Sequence, residues 1–208
     1  TVSNQLTYLF TSRQSDFLII PNGFEGDIKA EKKNKHNLMI YTGTVALSQI
    51  ADGFYEHLSD FGLKLNFYGD VHNQLTRLVL DKQLSDHIKF HHRVNHSQLS
   101  SIHDDADYFL LLIPNTTNNG GILTGKVFEY MAANRPIFAI GPTSGDCAEI
   151  LYESGIGKMY DYATDFRMAL RDFLSIDFKI NHKYVERFQR SKQAQQLSAY
   201  LERIASLD

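Results

Sequence analysis

Short runs of apolar residues alternate along the chain with longer stretches in which apolar residues recur every three or four positions. The first pattern, bounded by turn residues, predicts β-strands, and the second predicts amphipathic α-helices. The predicted strands cover residues 38–41, 63–68, 88–90, 108–113, 136–140 and 159–160. The predicted helices cover residues 50–58, 75–80, 96–106, the segment around Lys126, 147–153, 166–174 and 183–204. Near the start, the pattern predicts a short helix over 4–13 and a strand over 17–20, which stops at Pro21-Asn22-Gly23.

Apolar strands that alternate with helices are typical of a parallel sheet covered on both faces. We therefore predict an α/β fold, a doubly wound six-stranded parallel sheet with helices on both faces, whose strand order is set by right-handed crossovers. In such sheets ligands bind beyond the carboxyl ends of the strands. The loops at that edge are Gly43-Thr44, Gly69-Asp70, Arg93-Val94, 114–121 and 141–145.

A glycine-rich loop leads into a helix over residues 118–132, and Lys126 and Glu129 sit three residues apart near the start of that helix. Residues at this spacing project from one face. Three apolar residues fall on the opposite side and should lie in the core: Val127, Phe128 and Met131. A helix N-terminus carries free N–H groups and partial positive charge, so Lys126 beside Gly125 suits a phosphate group. Glu129, one turn on, is placed to accept hydrogen bonds from a pair of sugar hydroxyls. The alternative is an ordinary surface Lys–Glu pair, which the convergence of the loops at the same sheet edge disfavours.

Bulk composition narrows the class of protein. The 208-residue chain has 43% hydrophobic and 22% charged residues, as an ordinary globular protein does. Its net charge of −3, without a basic block, argues against nucleic acid as the main partner. It contains no apolar run near the ~18 residues of a membrane span and no visible signal peptide. The single cysteine, Cys147, excludes an internal disulfide framework and fits a reducing compartment, so we expect a cytoplasmic location and a thiol buried in the core.

Seven short motifs, in order and at consistent spacing, give the chain a family resemblance. They occupy residues 20–24, 41–43, 66–70, 94–99, 106–110, 125–132 and 135–137. With these motifs the chain resembles the C-terminal half of a GT-B fold glycosyltransferase, in particular of glycosyltransferase family 4. The resemblance implies a Rossmann-like domain that binds a nucleotide-sugar donor, a UDP- or GDP-sugar, without a metal or a separate cofactor.

The resemblance also implies roles for individual residues. The glutamate that Glu129 matches typically holds the ribose hydroxyls, the loop Gly43-Thr44 and the start of the Lys126 helix lie against the diphosphate, and the backbone near Arg93-Val94 meets the base. The implied donor-binding residues are Gly43, Thr44, Arg93, Val94, Thr124, Gly125, Lys126 and Glu129. No catalytic residue is assigned.

Two departures from the family pattern affect this site. Gly121 stands where family 4 members commonly carry a second glutamate, near the donor sugar. Thr44 and Gln49 stand in the first loop, where the family often has an arginine and a lysine. We expect Lys126 to replace the lost positive charge, because an unneutralised diphosphate in a cleft would be costly.

The resemblance divides the chain into three parts. Residues 1–16 correspond to a remnant or last helix of a missing N-terminal domain, 17–180 to the nucleotide-sugar-binding α/β domain, and 181–208 to a C-terminal helix. In the family the acceptor site lies mostly in the N-terminal domain, so we expect a fragment that binds donor and transfers nothing. Through the missing domain, the whole protein is expected at the inner face of the membrane. A homodimer of the fragment is expected through exposed apolar residues near its end, such as Phe188, Leu197, Tyr200 and Leu201.

Other polar groups have simpler interpretations. His91, His92 and His96 lack a cysteine or carboxylate at metal-ligand spacing and are predicted to be ordinary loop histidines rather than a zinc site. Asp146 and Glu149 are predicted in a solvated first helical turn. Two alternative functions stay open: a non-catalytic nucleotide-binding module and a sugar-nucleotide epimerase on the same fold.

Overall fold

The fold is a six-stranded parallel sheet with helices on both faces, as predicted. The computed structural model describes residues 7, 18–32 and 36–206, with the side chain of His96 excepted. The sheet order is β3-β2-β1-β4-β5-β6, with every neighbouring pair parallel. The strands are β1 (Leu38–Thr42), β2 (Lys64–Tyr68), β3 (Ile88–His91), β4 (Tyr108–Leu112), β5 (Ile137–Ile140) and β6 (Gly157–Tyr160).

Seven α-helices follow or connect these strands within the described residues. They are α1 (Asn73–Asp81), α2 (His96–Asp105), α3 (Gly125–Ala133), α4 (Asp146–Ser154), α5 (Phe166–Ser175), α6 (His182–Val185) and α7 (Arg190–Ala205). The order reverses between β1 and β4, so the loops after these two central strands lie side by side at the carboxyl edge.

Alternate residues of the central strands enter two separate cores, one on each face of the sheet. On β4, Leu110 packs with the aromatic core that contains Phe54 and α5, whereas Phe109 packs with the core formed by α3 and α4. All five residues of β4 are buried, as expected for a strand covered on both faces.

The predicted helix over 50–58 is wrong. Three 3-10 helices, Leu47–Gln49, Tyr55–His57 and Ser59–Phe61, occupy this region instead. Gly53 has a positive φ of 83° within the predicted span, which breaks the hydrogen-bond ladder of an α-helix. The apolar spacing nevertheless buries Phe54, Tyr55 and Leu58, because successive short turns still present one face to the sheet.

The predicted single helix over 183–204 is also wrong. It is interrupted at Gln189, whose φ of −65° and ψ of 129° are extended. The interruption lets Phe24 dock against the chain: Phe24 N–H donates to the Phe188 carbonyl at 3.0 Å, and Arg190 N–H donates to the Phe24 carbonyl at 2.9 Å. Phe188 is therefore buried in the core, while Leu197 and Leu201 on α7 remain 43% and 55% exposed.

We call the contact between residues 21–24 and 188–193 the clasp. The Gln193 side-chain amide donates to the Pro21 carbonyl at 2.8 Å and to the Asn22 carbonyl at 3.3 Å. At Gly23, a Cβ atom would lie 2.2 Å from the Phe188 carbonyl oxygen, so only glycine allows this approach.

The predicted strand over 17–20 does not form in its described part. Residues 18–23 have no regular secondary structure, and the described part of this segment makes one β-bridge, between Phe24 and Gln189. The predicted helix over 4–13 lies outside the described residues, except for Thr7, which is helical. Within the described residues, no helix combines the length and the apolar character that crossing a membrane requires.

Candidate functional site

Two glycine loops meet at the carboxyl edge of the sheet. Gly43 follows β1 with φ of 112°, and Gly69 follows β2 with φ of 138°. The Gly43 N–H donates to the Tyr68 carbonyl at 2.8 Å. A Cβ atom on Gly69 would lie only 2.3 Å from the Gly43 carbonyl oxygen. The absence of a side chain at Gly69 therefore allows the two loops to approach this closely.

Lys126 folds back over Gly43. A Cβ atom on Gly43 would lie 2.6 Å from Cε and 3.1 Å from Nζ of Lys126. The ammonium also sits 5.5 Å from the centroid of the Tyr41 ring. Burial lowers the pKa of Lys126, and the nearby Glu129 charge opposes that shift. Within the described residues Lys126 makes no ion pair shorter than 4.0 Å, so its charge is available to an anionic ligand.

The N-terminus of α3 is open on its outer side. Thr124 caps the helix, and its hydroxyl accepts from the Lys126 N–H at 3.3 Å. Gly125 is exposed, and a Cβ atom on it would have no neighbour within 4 Å. A ligand can therefore reach the positive end of the helix beside the Lys126 ammonium.

Glu129, one turn further along α3, is half-buried and lines a cavity of about 370 Å³ bounded by α2, α3, residues 23–29 and Arg190. Ser97, Ser100 and His103 line the same cavity from α2. Lys29 stands at its wall, where its ammonium donates to Ser100 and pairs with Asp104 at 2.6 Å. The site thus combines a cation at the head of α3 with a carboxylate one turn below, on the side of α3 that faces α2.

A buried polar cluster lies beneath the loop after β1. The Thr42 N–H donates to the Tyr130 hydroxyl at 2.9 Å, and the Thr42 hydroxyl lies 3.5 Å from Nε2 of His103. The Tyr130 ring stacks on Phe109, with centroids 4.0 Å apart. Because Thr42 precedes Gly43 and Tyr130 follows Glu129, this cluster fixes β1 relative to α3. Thr42, His103 and Tyr130 were not among the predicted site residues; the polar Tyr130 within an otherwise apolar helix face is the signal that could have indicated them.

The remaining candidate residues lie around this centre. Thr44 is exposed, and its carbonyl accepts from the Tyr41 hydroxyl at 2.7 Å. In the loop after β3, Arg93 is exposed and Val94 is half-buried. No hydrogen bond or ion pair between described residues joins Arg93 or Val94 to Lys126 or Glu129. The structure therefore brings Gly43 and Lys126 into contact and leaves Arg93 on a separate loop of the same edge.

Gln49 does not face this cleft. It is buried, its amide donates to the Leu112 carbonyl at 2.8 Å, and its oxygen accepts from the Ala46 N–H at 3.0 Å. Gln49 thus ties the loop after β1 to β4.

The other polar candidates lie away from Lys126 and Gly43. His91 stacks on Tyr68, with centroids 4.5 Å apart. Burial raises the pKa of the Cys147 thiol to about 12, as expected for a core cysteine. Asp146 is buried, so the predicted solvated turn is wrong at that residue, although Glu149 is exposed. The loop after β4 covers this turn: a Cβ atom on Gly145 would lie 2.3 Å from the Gly120 carbonyl oxygen. Among the described residues, no three His, Cys, Asp or Glu side chains are grouped to hold a metal ion.

No protein-family model and no curated protein matches the chain. Solved structures do. The pneumococcal O-GlcNAc transferase GtfA, in complex with UDP and GlcNAc, has a TM-score of 0.68 at 14% identity, over 98% of this chain and 44% of its own. The sucrose-phosphate synthase of Thermosynechococcus elongatus has a TM-score of 0.68 at 14% identity, over 100% of this chain and 58% of its own.

A third match is AviGT4, a glycosyltransferase involved in avilamycin A biosynthesis. Its TM-score is 0.65 at 14% identity, over 90% of this chain and 59% of its own. The fold is therefore the Rossmann-like α/β fold of GT-B glycosyltransferases. The chain spans about half the length of each of these structures.

Proposed function

We propose that this chain is the donor-binding half of a glycosyltransferase, which moves a sugar from a UDP- or GDP-sugar to an acceptor in glycan or polysaccharide synthesis. The observation that carries the proposal is the Lys126 ammonium, half-buried over Gly43 at the open N-terminus of α3. A diphosphate at this point meets a full positive charge and the helix dipole together.

The spacing on α3 supports a nucleotide rather than a simple anion. Lys126 and Glu129 are three residues apart, about 4.5 Å along the helix axis at ~1.5 Å per residue. A ribose joined to a bound diphosphate would lie within reach of the Glu129 carboxylate, which accepts hydrogen bonds from vicinal hydroxyls. The remaining donor contacts that we propose are Gly43, Thr44, Arg93, Val94, Thr124 and Gly125.

The acceptor would enter from an N-terminal domain beyond this chain. In support, the matched structures extend well past the part that this chain covers, which is 44% to 59% of their length. We assign no catalytic residue. In a two-domain clamp, one half alone lacks the acceptor platform and excludes water poorly, so we propose that these residues bind donor without transferring sugar.

Isothermal titration calorimetry with UDP, GDP and inorganic pyrophosphate tests the site. We expect Lys126→Ala to weaken binding of the preferred nucleoside diphosphate by about 1.5–3 kcal/mol, the range for a hydrogen bond to a charged group. Glu129→Ala should weaken nucleoside diphosphate binding and leave pyrophosphate nearly unchanged, because pyrophosphate has no ribose. Lys64→Ala, at an exposed lysine at the start of β2, is the matched control. An unchanged affinity in either site variant would remove that residue from the site, and no nucleotide binding by the wild type would refute the proposal.

A transfer assay tests whether these residues bind donor without transferring sugar. With a radiolabelled sugar donor and a mixed panel of acceptors, we expect binding without transfer. Measurable sugar transfer by these residues alone would show that the half-enzyme interpretation is wrong.

A further inference from the structure

A second cavity opens at the carboxyl edge of the sheet, beside the ends of β5 and β6. We call it the polar cup; its volume is about 390 Å³, within the range of small-molecule sites. Its polar lining comes from the loops after β4 and β6: Asn115, Thr116, Asn119, Asp161 and Tyr162. None of the proposed donor-binding residues lines it.

The chemistry of the lining selects among ligand classes. Two amides, a hydroxyl, a carboxylate and a phenol line the cup, and no lysine, arginine or histidine among the described residues does so. A phosphate or carboxylate ligand would face the Asp161 charge without a compensating cation. A neutral ligand with several hydroxyls suits this set, because amides both donate and accept and a carboxylate accepts from two adjacent hydroxyls.

The lining is held in place from within the protein. The Tyr162 hydroxyl donates to the Ile113 carbonyl at 2.8 Å, and the Asn119 amide donates to the Pro114 carbonyl at 2.9 Å. One oxygen of Asp161 accepts from the Ala163 N–H at 2.8 Å. These bonds fix three lining side chains before any ligand arrives, which lowers the entropic cost of binding.

The cup retains unused hydrogen-bonding capacity. The side chains of Asn115 and Thr116 are exposed and have no hydrogen-bond partner among the described residues. One Asp161 carboxylate oxygen accepts from the Ala163 N–H, and the second has no hydrogen-bond partner among the described residues. Donors and acceptors therefore point at one concave space from two loops.

One loop joins the cup to the proposed donor site. Asn115, Thr116 and Asn119 line the cup, and the same loop ends at Thr124, the cap of α3. The Asn115 N–H donates to the Ser48 carbonyl at 2.6 Å, which ties this loop to the loop after β1. A ligand in the cup would thus lie along the same sheet edge as a diphosphate beside Lys126.

From this geometry we infer that the polar cup is a saccharide subsite, which binds a neutral sugar ring through Thr116, Asn119 and Asp161. The ring belongs either to the sugar of the donor or to an acceptor saccharide. The inference rests on the proposed function for its biological context, but sugar binding itself is tested without assuming it.

Two titrations distinguish the sources of the sugar. The first compares UDP with UDP-glucose and UDP-N-acetylglucosamine, and GDP with GDP-mannose, by calorimetry. The second follows glucose, mannose, N-acetylglucosamine and oligosaccharides of glucose by saturation-transfer NMR. We expect Thr116→Val and Asp161→Asn each to lower an affinity at least fivefold in one of the titrations: the affinity for the nucleotide-sugar in the first, or for the free saccharide in the second. The affinity for the nucleoside diphosphate alone should not change. Asp161→Asn keeps an oxygen for the Ala163 N–H, so the turn is preserved.

Gln195→Ala, at an exposed polar residue of α7, is the control and should change neither titration. An effect in the first titration assigns the cup to the donor sugar, and an effect in the second assigns it to an acceptor. Suppose that UDP or GDP binds and that this binding depends on Lys126. If no sugar in either panel then adds affinity, or if neither variant changes the affinity for sugar, the saccharide subsite is refuted and the proposed function stands. If no nucleotide binds, the proposed function fails, and loss of free-saccharide binding in Thr116→Val would still uphold the cup.

Discussion

Gly69 controls the position of Gly43 through direct backbone contact, so its replacement should affect both stability and nucleotide binding. In Gly69→Ala the new Cβ atom would lie 2.3 Å from the Gly43 carbonyl oxygen, at a residue whose φ is 138°. Alanine at a positive φ costs roughly 1 kcal/mol of stability through backbone strain alone, and we expect the loss here to be well above that figure. We also expect weaker binding of nucleoside diphosphate. Urea denaturation and calorimetry measure the two effects.

Gly53→Ala is the matched control, because Gly53 also has a positive φ, 83°, but a Cβ atom on it would meet nothing within 4 Å. It should show backbone strain alone, with nucleotide affinity unchanged. Equal effects of the two substitutions would mean that the contact between the loops does not position Gly43.

Asp107 gives stability a predictable pH dependence. Its buried carboxylate accepts from the His36 and Leu38 N–H groups at 2.6 and 2.9 Å and pairs with Lys32 at 2.8 Å. Burial raises the pKa of Asp107, but the hydrogen bonds from Leu38, Lys32 and His36 lower it by more, so the folded pKa lies below its ordinary value. The stabilisation is therefore complete above the unfolded pKa of about 3.9 and is lost as pH falls through the folded pKa.

We expect Asp107→Asn to lower the free energy of unfolding by about 1–3 kcal/mol at pH 7, and by progressively less below about pH 4. Urea denaturation at pH 7, 4.5 and 3.5 measures this difference. Asp105→Asn, at an exposed neighbouring carboxylate, is the control and should have little effect. A difference that does not change with pH would show that the charge of Asp107 is not the source of its contribution.

At the scale of single elements, helix α3 shows what the sequence could predict. Its spacing correctly placed Val127, Phe128 and Met131 in the core, because a 3.6-residue period separates two faces of any helix. The same reasoning placed Lys126 and Glu129 together on the outer face. It could not predict that the Lys126 side chain folds over Gly43, since that contact depends on how β1 and β4 are paired.

The helix that the sequence predicted over 183–204 shows the opposite case. Nothing in its local spacing marks Gln189 as a break, and the pattern is compatible with a continuous amphipathic helix. At this break Phe24, distant in sequence, docks between Phe188 and Arg190 and takes up their backbone hydrogen-bonding groups. Tertiary contacts of this kind override local propensity.

The cap of α5 provides an element-scale test away from the proposed site. Asp165 accepts from the Arg167 and Met168 N–H groups at 3.0 and 3.1 Å, and the helix buries Phe166 and Phe173 against the sheet. We expect Asp165→Ala to cost about 1 kcal/mol of stability, whereas Asp165→Asn, which still caps, should cost much less. Thermal denaturation compares the two variants. Equal losses would show that the cap contributes little.

At the scale of the whole molecule, the alternation of strands and helices was sufficient to predict a parallel sheet, and the carboxyl-edge rule predicted which loops converge. The polar cup was not predicted. Asn115 and Asp161 belong to loops after different strands, and only the placement of β4, β5 and β6 side by side brings them to one cavity. Sequence periodicity reports which face a residue occupies, but not which loops become neighbours.

The clasp has a consequence for the order in which the molecule folds. Gln193 bonds to carbonyls 171 and 172 residues away, and closing so long a loop is entropically costly until the sheet has formed. These contacts should therefore be absent from the folding transition state. We expect Gln193→Ala to lower the free energy of unfolding by about 1–2 kcal/mol. Nearly all of this loss should show as unfolding that is about five- to thirtyfold faster, while the folding rate stays unchanged.

Stopped-flow chevron analysis measures both rates. Leu110→Val, in the central strand β4, is the comparison variant, and we expect it to slow folding. A slower folding rate in Gln193→Ala would mean that the clasp forms early. If the clasp forms last, it also opens first, so residues 21–24 and 188–193 would separate from each other while the sheet stays intact. The rate of this local opening would then set how long the two segments stay together.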